Sequence, residues 1–129
     1  MRANDGTRTG GEILIDQLVI HGVQHVFCVP GESYLAALDA FYDRPINLTV
    51  CRQEGGATRM AEAVGKVTGR PGVVVCTRGP GPTHTSPGTH IAKQASTPPH
   101  LLAAPPPPAI AGPPAIPPPP PPPAPAPPA

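Results

Sequence analysis

The sequence is poor in residues that would indicate several common classes of protein. Its 129 residues include no Trp, 3% aromatic residues and 13% charged residues, and the formal net charge is +1. A chain without a basic run has no electrostatic basis for binding nucleic acid. No apolar stretch approaches the roughly 20 residues of a membrane span, and the polar N-terminus does not resemble a secretory signal. We therefore expect a cytoplasmic protein with neither a nucleic-acid partner nor a membrane partner.

Cysteine is also scarce and its spacing indicates no chemistry. The three cysteines, Cys28, Cys51 and Cys76, form no Cys-x-x-Cys pair and no Cys/His pattern of a zinc site. Each lies in or at the end of a short apolar run, where a thiol usually serves as a small buried hydrophobic group. We predict no metal site and no cysteine nucleophile.

Proline, by contrast, is in excess, with 24 copies. Eighteen of them lie in residues 98–129, which contain no charged residue. Such a segment cannot bury enough apolar surface to fold, so we predict a Pro/Ala-rich low-complexity tail that is disordered or forms polyproline II. Residues 11–97 are sufficient for one small domain, and residues 1–10 are predicted to be a flexible N-terminus.

Short apolar segments alternate with segments of helical periodicity in the remaining sequence. The predicted strands are residues 25–29, 46–51 and 73–77, and the predicted helices are residues 12–21, 35–42, 57–68 and 83–94. Residues 100–104 are a candidate fourth strand. This alternation predicts an α/β fold with a partial parallel sheet of three to four strands.

The first and last helices carry more specific expectations. Helix 12–21 is rich in Ile, Leu and Val, and we predict that it is mostly buried, with Thr9 as its cap and Gly22 as its stop. Pro87 lies inside the last predicted helix and Pro82 directly precedes it, and neither has a backbone N–H to donate. We therefore predict that this helix is weak and disrupted.

Three glycine-containing loops follow the predicted strands, at residues 30–33, 52–57 and 78–81. Ligands of open α/β sheets bind beyond the carboxyl ends of the strands, which is where these loops lie. Glu54 stands out because it lies between a strand end and a helix start. It is either a carboxylate favoured by the helix N-terminus or a proton-donating acid at the mouth of an apolar cleft. The residues alone leave both interpretations open.

Five sequence words, in this order, resemble the N-terminal, pyrimidine-binding domain of thiamine diphosphate-dependent enzymes, most closely the acetolactate synthase-like group. The words are V-F-C-V-P-G-E-S at 26–33, R-Q-E-G-G-A at 52–57, M-A-E-A at 60–63, G-K-V-T-G-R-P-G at 65–72 and T-R-G-P-G at 77–81. The resemblance covers residues 11–97 and implies decarboxylation of a 2-oxo acid followed by carboligation.

The resemblance implies a role for Glu54 above all. In the family, the matching glutamate hydrogen-bonds a ring nitrogen of the cofactor's aminopyrimidine and thereby activates the thiazolium carbon. Pro30 and Gly31 match the loop that lines the pyrimidine site.

The same comparison assigns weaker roles further along the chain. Gly79, Pro80 and Gly81 match the loop beside the reaction centre, and Gln94 matches a position where the group often has a substrate-pocket Gln. After Gly81 the match weakens, and His84 stands where the family has Asn.

The resemblance also implies features that these residues do not supply. The family's diphosphate and Mg²⁺ site uses a Gly-Asp-Gly motif in a separate domain, and acetolactate synthases also bind FAD through a middle domain. The family's active site lies between subunits of a homodimer or tetramer. We therefore expect a fragment that contributes the activating Glu54 and is inactive alone.

Two alternatives stay open. The first is another thiamine diphosphate-dependent decarboxylase or carboligase, because the substrate-selecting residues of such enzymes lie mostly in other domains. The second is a non-catalytic module whose Pro-rich tail binds SH3 or WW domains. Such ligands usually carry a flanking basic residue, and the basic residue nearest to the tail is Lys93.

Overall fold

A computed structural model describes residues 7–97 and 99–103. The elements, in chain order, are α1 (Gly10–Ile20), β1 (His25–Cys28), a 3₁₀ turn (Glu32–Tyr34), α2 (Leu35–Phe41), β2 (Asn47–Val50), α3 (Glu54–Thr68), β3 (Val73–Cys76), α4 (Pro80–Gln94) and β4 (His100–Ala103). Flexibility is predicted for residues 1–10 and a disordered or polyproline II tail for residues 98–129. Residues 100–103 of that predicted tail instead form β4, and residues 1–6, 98 and 104–129 lie outside the described residues.

The four strands form one parallel sheet in the order β2-β1-β3-β4. In the register of the central pair, Val26 lies beside Val73 and Cys28 beside Val75. The predicted α/β fold with a partial parallel sheet is confirmed, and the candidate fourth strand is present at the sheet edge beside β3. The central strands are buried on both faces, as a parallel sheet covered by helices requires.

Each face of the sheet packs against its own pair of helices. Val26, Cys28, Val73 and Val75 point towards α1 and α2, in one apolar cluster. Phe27 and Val74 point the other way and pack against Ala57 and Ala61 of α3, which lies beside α4. Because strand side chains alternate between faces, one short strand supplies both cores.

Helix α1 has the predicted cap, Thr9, but it begins two residues before the predicted start and is less buried than predicted. Thr9 and Glu12 form a reciprocal capping box, and the chain leaves the helix through Gly22 at a positive φ of 73°. Only Ile15 is fully buried, whereas Ile13 is 47% and Ile20 is 70% exposed. The prediction of a mostly buried helix was wrong because the chain between residues 7 and 103 covers one face of α1 only.

An ion pair joins α1 to the segment that follows α2. The Asp16 carboxylate accepts hydrogen bonds from the guanidinium groups of Arg44 and Arg8. The hydrogen bond from Arg44, aided by both positive charges, lowers the pKa of Asp16. Arg8 and Thr9, which lie within the predicted flexible N-terminus, therefore both contact α1.

Helix α4 corrects the prediction of a disrupted helix. It runs continuously from Pro80 to Gln94, over 15 residues. Pro80 is at the first position and Pro82 is in the first turn, where the backbone N–H groups have no partner within the helix. Pro87 is inside the helix, and packing against α3 offsets its missing hydrogen bond. No helix in the described part of the chain is long and apolar enough to cross a membrane.

Candidate ligand site at the carboxyl edge of the sheet

The carboxyl ends of β1, β2 and β3 bring the three predicted loops to one edge of the sheet. The chain leaves β1 in one direction, towards β2, and later returns past β1 to β3. The strand order therefore reverses between β1 and β3, and open α/β sheets bind their ligands outside the strand ends at such a point. This topology predicts a ligand site at the loops after β1 and β3.

Direct contacts join the loops after β1 and β3. Ser33 Oγ and Thr77 Oγ1 are 2.7 Å apart, and the backbone N–H of Arg78 donates to Ser33 Oγ over 3.2 Å. A Cβ atom at Gly31 would lie 2.5 Å from the Thr77 Cβ atom, so only glycine fits there. The observed reason for Gly31 is therefore the close approach of the two loops.

An open cleft of about 610 Å³ lies beside this contact, and its lining comes from both loops. The lining residues are Glu32, Thr77, Arg78, Gly79 and Pro80. Arg78 Nη2 is 3.0 Å from Glu32 Oε1, so an ion pair spans the cleft. Gly79 has a φ of 72°, in the left-handed region that favours glycine, and this turn starts α4.

Glu54 is the first residue of α3, and its side chain is 11% exposed. The sequence predicts a helix from Ala57, but the helix begins three residues earlier. The reason is a local cap, since the Gln53 side chain accepts a hydrogen bond from the Gly56 N–H over 2.8 Å. The helix N-terminus favours a carboxylate at this position, as one of the two interpretations of Glu54 expects.

The side-chain partner of Glu54 is His84, which lies in the first turns of α4. His84 Nδ1 is 3.3 Å from Glu54 Oε2. Sequence reasoning recorded His84 only as a departure from the family and gave it no function. The sequence feature that could have indicated a site role is the position of His84, five residues after Gly79. This places it one turn into a helix that starts at the same sheet edge as Glu54.

The charge of Glu54 acts on two buried groups nearby, Cys76 and Tyr34. Burial raises the pKa of the Cys76 thiol, and the Glu54 charge adds to that effect. Burial also raises the pKa of Tyr34, whose hydroxyl donates to the Val29 carbonyl over 2.5 Å. The pKa values of Cys28 and Cys51 are likewise raised by burial. Thiols with raised pKa values are poor nucleophiles, which agrees with the prediction that the cysteines carry no chemistry.

The remaining predicted residues divide into two groups. Pro30, Gly31, Gly79, Pro80 and Gly81 all lie at this carboxyl edge, in the loops after β1 and β3 or at the start of α4. Glu54 lies at the same edge but is not among the residues that line the 610 Å³ cleft.

Gln94 is separate from the others. It is the last residue of α4, 14 residues after Pro80, and a helix rises about 1.5 Å per residue. The structure therefore places it roughly 21 Å along the helix from the other predicted residues. The structure does not bring Gln94 to the site.

Fold and site together define a class: an α/β domain with a candidate ligand site at the carboxyl edge of its parallel sheet, where one carboxyl group is nearly buried. The profile of the family "Thiamine pyrophosphate enzyme, N-terminal TPP binding domain" matches residues 8–114. The chain belongs to this family.

Individual relatives agree with the family assignment. The chain is 43% identical over 89 residues to the acetolactate synthase of Bacillus subtilis, a match that covers 69% of this chain and 16% of that protein. It is 42% identical over 78 residues to the mitochondrial acetolactate synthase catalytic subunit of Aspergillus candidus, covering 60% of this chain and 11% of that protein. It is 35% identical over 89 residues to the large subunit of acetolactate synthase isozyme 2 of Escherichia coli, with coverages of 69% and 16%. The chain thus spans less than one fifth of the length of these relatives.

The donor set at the carboxyl edge fits one end of the family's cofactor. A carboxyl group that carries its proton can donate a hydrogen bond to a ring nitrogen of an aminopyrimidine, and Glu54 supplies a nearly buried carboxyl group. Within residues 7–97 and 99–103, no group of three His, Cys, Asp or Glu side chains could hold a metal ion. The described residues therefore fit the aminopyrimidine end and offer no metal site for the diphosphate end.

Proposed function

We propose that this chain supplies the aminopyrimidine-binding edge of a thiamine diphosphate-dependent, acetolactate synthase-like enzyme that decarboxylates a 2-oxo acid and transfers the two-carbon product. The observation that supports this proposal is the nearly buried carboxyl group of Glu54, which begins α3 at the carboxyl edge of the sheet in a chain of this family. The relatives named acetolactate synthase support the particular reaction.

In this proposal Glu54 is the acid that activates the cofactor. The bound cofactor supplies the nucleophilic thiazolium carbon, and the protein supplies orientation and a proton at one ring nitrogen. The burial of Glu54 supports this role because a carboxyl group shielded from water makes a stronger and better directed hydrogen bond. The edge loops at Pro30, Gly31 and Gly79–Gly81 would line the same site.

The rest of the catalytic centre is proposed to come from other domains and subunits. The diphosphate, Mg²⁺ and FAD would be bound outside the described residues, and the functional unit would be a homodimer or tetramer. Since binding of the diphosphate contributes much of the affinity in such a design, the 129-residue chain should bind the cofactor negligibly and be inactive alone.

Two other functions differ from this proposal in what they predict. Another decarboxylase or carboligase of the same cofactor would use Glu54 identically and differ only in substrate. A module with an SH3- or WW-binding tail would not depend on Glu54, and its tail would be captured by a panel of such domains. A substitution at Glu54 should therefore impair both enzyme functions and leave the binding of SH3 or WW domains unchanged.

The decisive experiment replaces the glutamate at the Glu54 position in the intact Bacillus subtilis acetolactate synthase by Gln. We expect turnover to fall by well over tenfold with the fold retained, because the amide lacks the acidic proton. The matched control is Glu→Gln at the position of Glu62, a buried carboxylate on the same helix that pairs with Lys66 over 2.6 Å. Turnover within about tenfold of the parent in the Glu54-position variant would contradict the proposed role.

A second experiment tests the division of the site between domains. Calorimetric titration of the isolated chain with thiamine diphosphate and Mg²⁺ should show no binding tighter than about millimolar. Sub-micromolar binding would mean that this chain holds the diphosphate itself and would overturn that part of the proposal.

A further inference from the structure

The contact between His84 and Glu54 leaves one carboxylate oxygen engaged and the other open. His84 Nδ1 approaches Oε2 over 3.3 Å. Oε1 makes no hydrogen bond to any residue in the described part of the chain. The two side chains also differ in exposure, with 11% of Glu54 and 56% of His84 accessible to solvent. The carboxylate is thus nearly enclosed by the protein, and its partner connects it to the surface.

The backbones on both sides of this contact are fixed by close packing of α3 on α4. A Cβ atom at Gly55 would lie 3.2 Å from the His84 carbonyl oxygen, and one at Gly88 would lie 2.6 Å from Thr58 Cβ. Thr58 in turn donates its hydroxyl hydrogen to the Glu54 carbonyl over 2.8 Å. The contact between His84 and Glu54 therefore follows from helix packing and does not depend on two flexible loops.

The chemistry of the two groups determines the direction of the hydrogen bond. Oε2 accepts a hydrogen bond both in an ionised carboxylate and in a carboxylic acid whose proton is on Oε1, so His84 Nδ1 must carry the hydrogen. Which ring nitrogen of a neutral histidine is protonated is set by the hydrogen bonds that the ring makes, and free imidazole rings favour hydrogen on Nε2. Cys76 and Tyr34 lie close enough to Glu54 for its charge to raise their pKa values, and both are neutral. Neither carries a charge that would attract or repel the carboxyl group.

We propose that His84 is a positioning residue for Glu54. Its Nδ1–H donates to Oε2, holds the carboxylate in one orientation and leaves Oε1 for a nitrogen of the bound ligand. The identity of this ligand as an aminopyrimidine rests on the proposed function. The hydrogen bond between His84 and Glu54 is independent of that function. His84 stands where the resembling family has Asn, a residue whose amide N–H can also donate. The substitution therefore preserves a donor while adding a ring that reaches solvent.

The test is long-range ¹H–¹⁵N NMR of the histidine side chains in the full chain, at a pH at which the rings are neutral. We expect His84 to be mainly the Nδ1–H tautomer and to revert to Nε2–H in the Glu54→Ala variant. His90, an exposed histidine on the same helix, is the internal reference and should be Nε2–H in both. An Nε2–H tautomer at His84 in the unmodified chain, or an Nδ1–H tautomer that survives Glu54→Ala, would overturn the proposal.

A second readout separates positioning from a merely structural role. The ¹³Cδ resonance of Glu54 should move in His84→Leu, which removes the donor, and stay near its original position in His84→Asn, which keeps one. An unmoved resonance in His84→Leu would also overturn the proposal. Neither measurement needs cofactor, so a failure here leaves the Glu54 turnover experiment intact, and a failure of that experiment leaves the hydrogen bond intact.

Discussion

Helices α3 and α4 are equal in length and lie side by side, yet they form for different reasons. Each has 15 residues and starts at the carboxyl edge of the sheet. Helix α3 has a side-chain cap at Gln53 and ends at Gly69, whose φ of 69° suits only a residue tolerant of the left-handed region. Helix α4 has no side-chain cap, since its N-cap residue is Gly79, and it includes an internal proline.

The difference shows that α3 is specified locally and α4 by its neighbour. The signals of α3 lie in its own sequence, whereas α4 depends on small residues that let it approach α3 closely, chiefly Gly88 against Thr58. The candidate acid and its proposed positioning residue follow this division, since Glu54 belongs to α3 and His84 to α4. Changes that strengthen or weaken α4 should therefore affect the geometry at Glu54.

Removing the internal proline of α4 should give the largest change. A proline inside a helix costs about 3 kcal/mol relative to Ala, and about 1 kcal/mol of this is offset because proline restricts the unfolded chain. We expect Pro87→Ala to raise the free energy of unfolding by about 2 kcal/mol, measured by urea denaturation. The control is Ala at the exposed Arg59 of α3, which should change it by less than about 0.5 kcal/mol. If Pro87→Ala did not raise the free energy of unfolding, the internal proline would not be what limits the stability of α4.

Closing the gap between the helices should have the next largest effect. Gly88→Ala adds a Cβ atom 2.6 Å from Thr58 Cβ and Cγ2. Although Ala favours a helix, we expect overpacking to lower the free energy of unfolding by about 1–2 kcal/mol.

The matched control for Gly88→Ala is the same substitution at Gly10 of α1, where nothing lies within 4 Å of the added atom. Gly10→Ala should be neutral or stabilising by up to about 1 kcal/mol. If the two variants behaved alike, contact with α3 would not be what defines α4.

Removing the cap of α3 should have the smallest effect of the three. Gln53→Ala loses the hydrogen bond to the Gly56 N–H, and we expect a loss of about 0.5–1 kcal/mol in the free energy of unfolding. Circular dichroism should show fraying limited to the first turn. If Gln53→Ala lowered the free energy of unfolding by more than Gly88→Ala does, the cap of α3 would contribute more to stability than the contact between α3 and α4.

The same division explains what could be predicted from the sequence. Strands β1 and β3 were predicted within one residue because their apolar runs are bounded by turn residues, and α3 was predicted in its centre and end. Its start was missed by three residues because Gln is an uncommon cap. The disruption of α4 was predicted wrongly because local propensity cannot record the support that a neighbouring helix provides.

The candidate site was predicted as far as topology allows. Parallel strands place their carboxyl ends at one edge, so the loops and Glu54 could be assigned to it from residue order alone. His84 required knowledge of how α3 and α4 cross, and the exposure of Ile13 and Ile20 required knowledge of what covers α1. The spacing of apolar and polar residues along the chain reveals neither how α3 and α4 cross nor what covers α1.

The most direct test of the central claim is the rate at which the thiazolium C2 proton of thiamine diphosphate exchanges with deuterium in the intact Bacillus subtilis relative. The measurement isolates cofactor activation from substrate binding and product release. Glu→Gln at the position of Glu54 should slow this exchange by well over tenfold, while Glu→Gln at the position of Glu62 should leave it unchanged. An exchange rate at the Glu54 position equal to that of the parent enzyme would contradict the account.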